Sequence, residues 1–305
     1  MSSVLVAGSA NLDFVVRAAS IPAPGQTVLG RDFQTFPGGK GANQAVACAR
    51  AGGVPTQMLL ALGGDAYAPA IEDSLRQAGV RLHIVRTSDA ATGTAFICVG
   101  DDAQNAITVA PGANSALRAE HLPRLDTVGH LLLQLETPIE TVTAYAQVAR
   151  KAGVTVVLNA APARALPLAL LDAIDMLIVN QGELATITAA DVASRTALEQ
   201  ALCAPGLLNV PRVVVTLGAN GCLVRHQQAL FSVPGFAVSA VDTTAAGDTF
   251  CGALVAALSQ GEPLRAALRR ANAAAAIACT RLGAQPSIPQ RAEVDAFLAQ
   301  RAEVP

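Results

Sequence analysis

The chain has 305 residues, 52% of them hydrophobic, and a formal charge of −2; it can bury a full core, and its scattered basic residues exclude nucleic acid and anionic membrane as partners. No apolar run approaches the roughly 20 residues of a spanning helix, and the opening Met-Ser-Ser-Val-Leu-Val-Ala-Gly carries no basic n-region, so no secretory leader is expected. Six separated cysteines without a C-x-x-C pair and four isolated histidines indicate buried reduced thiols in a cytoplasmic protein, without a zinc or iron cluster.

In chain order, Val4–Ala7 reads as a buried strand ending in the turn Gly8-Ser9-Ala10-Asn11. Residues 14–36 hold a short β-leaning stretch, Phe14–Val16, among Pro, Gly and Asp. The glycine-rich run Gly38–Asn43 then enters a helix over Gly41–Gly52, and Met58–Leu62 is a second buried strand. Residues 93–110 repeat the β-leaning character in Thr94–Val99 and Ile107–Val109. Further strands are expected at Leu131–Leu135, Val154–Leu158, Met176–Val179 and Val213–Leu217, and helices at Ile139–Ala152, Gly247–Leu258 and Leu264–Arg281. Strands alternating with helices predict an α/β fold, doubly wound, with a mostly parallel sheet covered by helices on both faces. Segments 14–36 and 93–110 predict a small antiparallel β appendage acting as a lid on one domain spanning 1–305.

The most informative stretch is Asp242-Thr-Thr-Ala-Ala-Gly-Asp248, which passes straight into a helix. Small residues opening a helix leave backbone N–H groups unpaired at the positive end of the dipole, which suits an anion. A carboxylate in that turn can deprotonate a hydroxyl beside the held phosphoryl group, or it can simply cap the helix. No G-x-x-x-x-G-K-[ST] and no dinucleotide fingerprint occurs. Gly39-Lys40-Gly41-Ala42-Asn43 offers close backbone approach, one ammonium and one carboxamide, a mixture that suits a polyhydroxylated ligand. Asn11 and Asp13 follow the first strand, at the end where open α/β sheets bind ligands, and Glu136 follows Leu131–Leu135. Asn180 and Glu183 suit either hydrated Mg²⁺ or a capping box. Asn220-Gly221 signals a hairpin, and its turn can also present Thr216 to a nucleotide.

Together these pieces resemble the ribokinase branch of the PfkB sugar-kinase family. The motifs Gly39-Lys40-Gly41-Ala42-Asn43, Asn180-x-x-Glu183, Thr216-Leu217-Gly218-x-x-Gly221 and Asp242 to Asp248 occur in its order and spacing. The resemblance spans about residues 4–298. It implies ATP-dependent phosphorylation of D-ribose at O5, with Asp248 as base and the amides of Ala245, Ala246 and Gly247 as anion hole. It further implies Asn11, Asp13, Gly39, Lys40, Gly41, Asn43 and Glu136 on the sugar. Asn180, Glu183, Thr216, Gly218, Gly221, Gly247 and Asn272 would face the nucleotide, with Mg²⁺ organised by Glu183 through water. Asp242, Thr244, Ala278, Arg281, Gly283 and Ser287 would hold an activating K⁺, mostly through carbonyls, and relatives dimerise through the lid. Alternatives are a kinase for another furanose or a nucleoside, or a non-catalytic sugar-binding regulator on the same fold.

Overall fold

The structure is a computed structural model describing residues 2–102 and 104–301. Its first part runs β1 (Ser3–Ala7), β2 (Asn11–Ala18), β3 (Gly30–Gly38), α1 (Lys40–Arg50), β4 (Thr56–Gly63), α2 (Ala68–Gln77), β5 (Arg81–Thr87), β6 (Gly93–Val99) and β7 (Asn105–Ala110). It continues through β8 (Val128–Leu133), α3 (Ile139–Lys151), β9 (Thr155–Asn159), the single turn α4 (Leu168–Leu171), β10 (Met176–Asn180), α5 (Gln181–Thr188) and α6 (Arg195–Leu202). The remainder is β11 (Arg212–Thr216), β12 (Cys222–His226), β13 (Ala229–Val233), α7 (Ala246–Ser259), α8 (Leu264–Cys279) and α9 (Arg291–Ala299).

Uninterrupted apolar strands need cover on both faces, and the main sheet has it. Its order is β13-β12-β11-β10-β9-β8-β1-β4-β5; all pairings from β11 to β5 are parallel, and the β11–β12 and β12–β13 pairings are antiparallel, so β12 alone runs against the rest. Side chains alternate between two cores. Val4 and Val6 of β1 join the core beneath α1, α2, α7 and α8, whereas Leu5 and Ala7 join the one beneath α3 to α6. Each fully buried Val, Leu or Ile contributes roughly 1.5–3 kcal/mol of transfer free energy. β5 escapes the apolar-run signal because it is the sheet's edge, where Arg81, His83 and Arg86 interrupt the pattern.

The lid is a second sheet of order β3-β2-β6-β7. Its outer pairs are antiparallel as expected, but the central β2–β6 pair is parallel. The reason is directional: β2 and β6 continue directly from β1 and β5, which run the same way in the main sheet. Pairing of Asn11 with Gly38 and Gly93 starts the lid at Asn11, so the expected turn is shorter and the lid longer than the sequence suggests. Within the expected 1–305 domain, residues 1, 103 and 302–305 lie outside the described residues, 103 within the lid segment.

The two helices that carry the chemical motifs pack unusually close. Gln44 of α1 meets Asp248 of α7, the Cys48 thiol donates to the Gly252 carbonyl at 3.3 Å one turn further along both helices, and Gly52 faces Ala256 a turn beyond that. A Cβ on Gly252 would lie 2.5 Å from the Ala47 methyl and 2.6 Å from the Gln44 carbonyl oxygen. Backbone cannot yield as a flexible side chain can. Gly252→Ala is therefore expected to cost about 1–3 kcal/mol, the usual penalty of overpacking, read as a lower urea midpoint at unchanged slope.

Candidate active site

The chain reverses its progress across the main sheet between β1 and β8, whose ends pair at Ala7 and Leu133. This is the switch point at which open α/β sheets form a ligand crevice. Glu136, just past β8, accepts the Ser9 hydroxyl at 2.5 Å and the Lys40 backbone N–H at 3.1 Å with the same oxygen. It thereby ties the β1 turn to the start of α1, where the helix dipole favours a carboxylate. Gly39 (φ 88°) and Gly41 permit the contact: a Cβ would lie 2.8 Å from the Asn11 backbone nitrogen in the first case and 2.7 Å from Ser9 backbone in the second. Asn11 and Asp13 lie side by side with this entry, on β2. The Asn114 amide donates to the Asn11 side chain at 2.8 Å and brackets the Ala10 backbone.

Asp13 is buried, and its Oδ1 has no hydrogen-bond partner. Burial, followed by the negative charges of Glu136 and Asp248, raises its pKa to about 7. Lys40 stands among the same carboxylates. Burial alone lowers an ammonium's pKa, but Asp248, Glu136 and Glu183 outweigh it and hold Lys40 above its ordinary value.

Asp248 occupies the first turn of α7, entered through Ala245 in the left-handed conformation (φ 58°). Its Oδ2 accepts the Asn43 amide at 3.0 Å and its Oδ1 the Gln44 amide at 2.9 Å. Asn43 is thus a brace for the carboxylate as well as a sugar candidate; its own Oδ1 is buried without a partner. The three amides expected to form an anion hole differ in their surroundings. Ala246 N–H closes the turn onto the Thr243 carbonyl at 3.2 Å, which leaves Ala245 and Gly247. A Cβ on Gly247 would meet nothing within 4 Å, so the Cα of this residue faces open space.

The nucleotide set lies further along the same sheet edge. Asn180 and Thr216 are direct partners between β10 and β11. Of the two roles open to Asn180 and Glu183, the structure displays the capping box: Asn180 Oδ1 accepts Glu183 N–H and Glu183 Oε2 accepts Asn180 N–H, both at 2.8 Å. Gly218 (φ 58°) and Gly221 (φ 84°) shape the hairpin turn, and a Cβ on Gly221 would strike the Val233 carbonyl at 2.2 Å. Asn272 spends its amide donors on the Val233 and Pro234 carbonyls at 3.3 and 3.0 Å, bracing α8 against the loop instead of offering those donors to a ligand.

In the loop at the other side of α7, Asp242 accepts Thr244 N–H and Gly283 N–H, each at 2.9 Å. Burial raises this carboxyl, but the hydrogen bonds from Thr244 and Gly283 prevail and hold it below its ordinary pKa. Not every carbonyl is free here. The Ala278 carbonyl takes the Arg281 N–H at 3.1 Å, the Ser287 hydroxyl donates to Ala284 at 2.7 Å, and the Arg281 side chain pairs with Glu293. A cleft of about 860 Å³ opens between this loop and the lid, with Asp13, Phe36, Asp242 and Gly283 in its lining. Sequence reasoning missed Ser9, Gln44, Asn114 and Gln134 as site residues; Gln44, a buried amide within an apolar helix face, carried the clearest signal.

A family model for pfkB family carbohydrate kinases matches residues 1–291. The chain belongs to that family of carbohydrate kinases. Within it, the chain is similar to the ribokinase of Haemophilus influenzae, 40% identical over 301 residues covering 97% of this chain and 98% of that one. It is 36% identical to the ribokinase of Bacillus subtilis over 304 residues, covering 98% and 100%. The structure of Arabidopsis thaliana ribokinase complexed with ribose and ATP shares the fold at a TM-score of 0.89 and 33% identity, covering 97% of this chain and 98% of that one.

The Asp13 environment yields a pH prediction for the ligand-free protein. Its folded pKa of about 7 exceeds the ordinary carboxyl value of 3.8, so the folded state holds more protons between those values than the unfolded chain. The stability Asp13 contributes is complete below its unfolded pKa and is lost as pH rises through about 7. Asp13→Asn is therefore expected to gain on wild type in urea unfolding as pH rises, exceeding it by clearly more at pH 8 than at pH 5. Parallel stability profiles for the two proteins would contradict this.

Proposed function

We propose that this chain is a ribokinase, transferring the γ-phosphoryl group of ATP to O5 of D-ribose. The observation that carries the reading is Asp248: a buried carboxylate, braced on both oxygens, in the first turn of a helix beside Gly247. A pure sugar binder has no use for a base in that position. Full-length similarity to ribokinases, one solved with ribose and ATP, supports the substrate assignment.

In this reading Asp248 takes the proton from the sugar's O5 hydroxyl as O5 bonds to the γ-phosphorus. The bond from phosphorus to the bridging oxygen breaks, ADP leaves, and the proton passes from Asp248 to solvent. Gly247 and Ala245 N–H groups stabilise the developing charge, and Lys40 supplies an ammonium among the reacting groups. Asn11, Asp13, Asn43, Glu136, Gly39 and Gly41 form the sugar seat. The orphaned oxygens of Asp13 and Asn43 match hydroxyl donors. Thr216, Gly218, Gly221 and Asn180 line the nucleotide side.

Mg²⁺, when bound, neutralises phosphate charge; the Glu183 oxygen outside the capping box suits a water ligand of that ion. The loop around Asp242 suits K⁺, because its donors are hard oxygens and a carbonyl already holding one N–H keeps a second lone pair. The lid leaves Ile107 53% and Val109 41% exposed, consistent with a homodimer through this sheet, which light scattering reads directly. No described helix is long and apolar enough to cross a membrane; we take the protein to be cytoplasmic and the chain to form one domain with the lid as its excursion.

Assayed with MgATP against pentoses, deoxyribose, fructose and nucleosides, ribose is expected to give the highest kcat/KM, since a site built to pair a hydroxyl rejects its absence. Asp248→Asn should lower kcat by about 10²–10⁴-fold with little change in ribose affinity. Preferential turnover of fructose or a nucleoside would move the chain to another branch of the family. Replacing K⁺ by a bulky organic cation at constant ionic strength should lower kcat, and Asp242→Ala should abolish that response; indifference to K⁺ would show that the loop's own hydrogen bonds suffice.

A further inference from the structure

Gln44 is fully buried on α1, and its side-chain bonds all remain inside the protein. Its Nε2 donates twice, to Asp248 Oδ1 at 2.9 Å and to Asn159 Oδ1 at 3.0 Å, and its Oε1 accepts the Gln134 amide at 2.6 Å. Both hydrogens and one acceptor site of the amide are thereby occupied. The direction of the chain of bonds is set at its ends. Asp248 accepts, and Asn159 turns its own amide to donate to the Ile178 carbonyl at 3.2 Å, leaving Oδ1 toward Gln44. Flipping the Gln44 amide would set oxygen against oxygen at two contacts at once.

The anchors of this chain belong to the rigid part of the fold. Asn159 ends β9, Gln134 follows β8 directly, and Ile178 lies within β10. Asp248, by contrast, sits in the first turn of a helix entered through a strained left-handed residue, where fraying is easiest. Asn43 braces its other oxygen but retains an unpartnered buried acceptor, so Asn43 is committed partly to a ligand. Gln44, by contrast, makes every one of its side-chain bonds within the protein and links the Asp248 carboxylate to Asn159 and Gln134.

We infer that Gln44 is a positioning residue for the base: through it, the carboxyl edge of the main sheet fixes the plane of the Asp248 carboxylate for proton abstraction. The inference rests on the proposed role of Asp248. Its consequence is a separation of binding from turnover, because Gln44 is placed to act on the base and not on the sugar.

The test uses Gln44→Met, which keeps the length and apolar stem but removes all three bonds, together with Gln44→Glu and Gln134→Met. Gln44→Met is expected to lower kcat roughly 10- to 100-fold, the scale on which a misplaced reacting group loses rate, while ribose affinity by calorimetry and KM for ATP stay near wild type. Gln134→Met, one bond further from the base, is expected to act in the same direction and less. Gln44→Glu places a carboxyl against Asp248 and donates to it only when protonated, so its kcat relative to wild type should rise as pH falls. Should Gln44→Met fail to fold, the Gln44→Glu pH profile and Gln134→Met decide the matter.

A folded Gln44→Met with wild-type kcat, a loss lying wholly in sugar affinity, or a Gln44→Glu pH profile parallel to wild type would overturn the inference. Failure of the ribokinase reading shows differently: wild type itself would not phosphorylate ribose. The same ratios are then read on the acceptor that the substrate panel identifies.

Discussion

The close approach of α1 and α7 is the constraint on which the rest of the site depends. Gly252 lets the backbone of one helix lie against the other, and the contacts recur one turn apart along both. Because the two helices run alongside in step, the start of α1 and the start of α7 arrive at the same place. One start brings Lys40, Asn43 and Gln44; the other brings Asp248 and the Gly247 amide. Interiors pack too densely for such a seam to shift gradually. A methyl group in the seam therefore acts on the reacting groups as well as on stability.

Electrostatics at that meeting point is unbalanced by design. Asp13, Glu136, Asp248 and Glu183 surround the single ammonium of Lys40, as their mutual influence on protonation shows. Burial and like charge push Asp13 upward, while the same carboxylates hold Lys40 charged despite its own burial. An excess of acceptors with too few donors is unfavourable in an empty crevice. It becomes favourable when a ligand rich in hydroxyl donors enters. The unpartnered oxygens of Asp13 and Asn43 express the same deficit in hydrogen-bond terms.

Several motif residues work first on the protein itself. Glu136 clamps the β1 turn to α1, Asn180 and Glu183 cap α5, Asn272 ties α8 to the loop after β13, and Asp242 closes its loop through two backbone amides. A carboxylate has more lone pairs than these bonds consume. Holding the backbone and facing a ligand are thus compatible in one side chain, and they place ligand groups on rigid supports.

Local chemistry explains what was legible in the sequence. A strand buried on both faces must be an unbroken apolar run, so β1, β4, β8, β9, β10 and β11 announced themselves, and with them the doubly wound sheet. A helix start rich in small residues and carboxylates marked Asp242 to Asp248, and paired glycines marked the entry to α1. Edge strands such as β5, exposed on part of their surface, lacked that signature. Only the tertiary structure decided the parallel β2–β6 pairing, because it depends on β1 and β5, far apart in the chain, running the same way in the main sheet. The same holds for the bonds joining Gln44 to Asp248 and Gln134 to Gln44, which span sequence separations of 204 and 90. Spacing within a motif is a local property, whereas which buried amide meets which carboxylate depends on how two helices and three strands pack together.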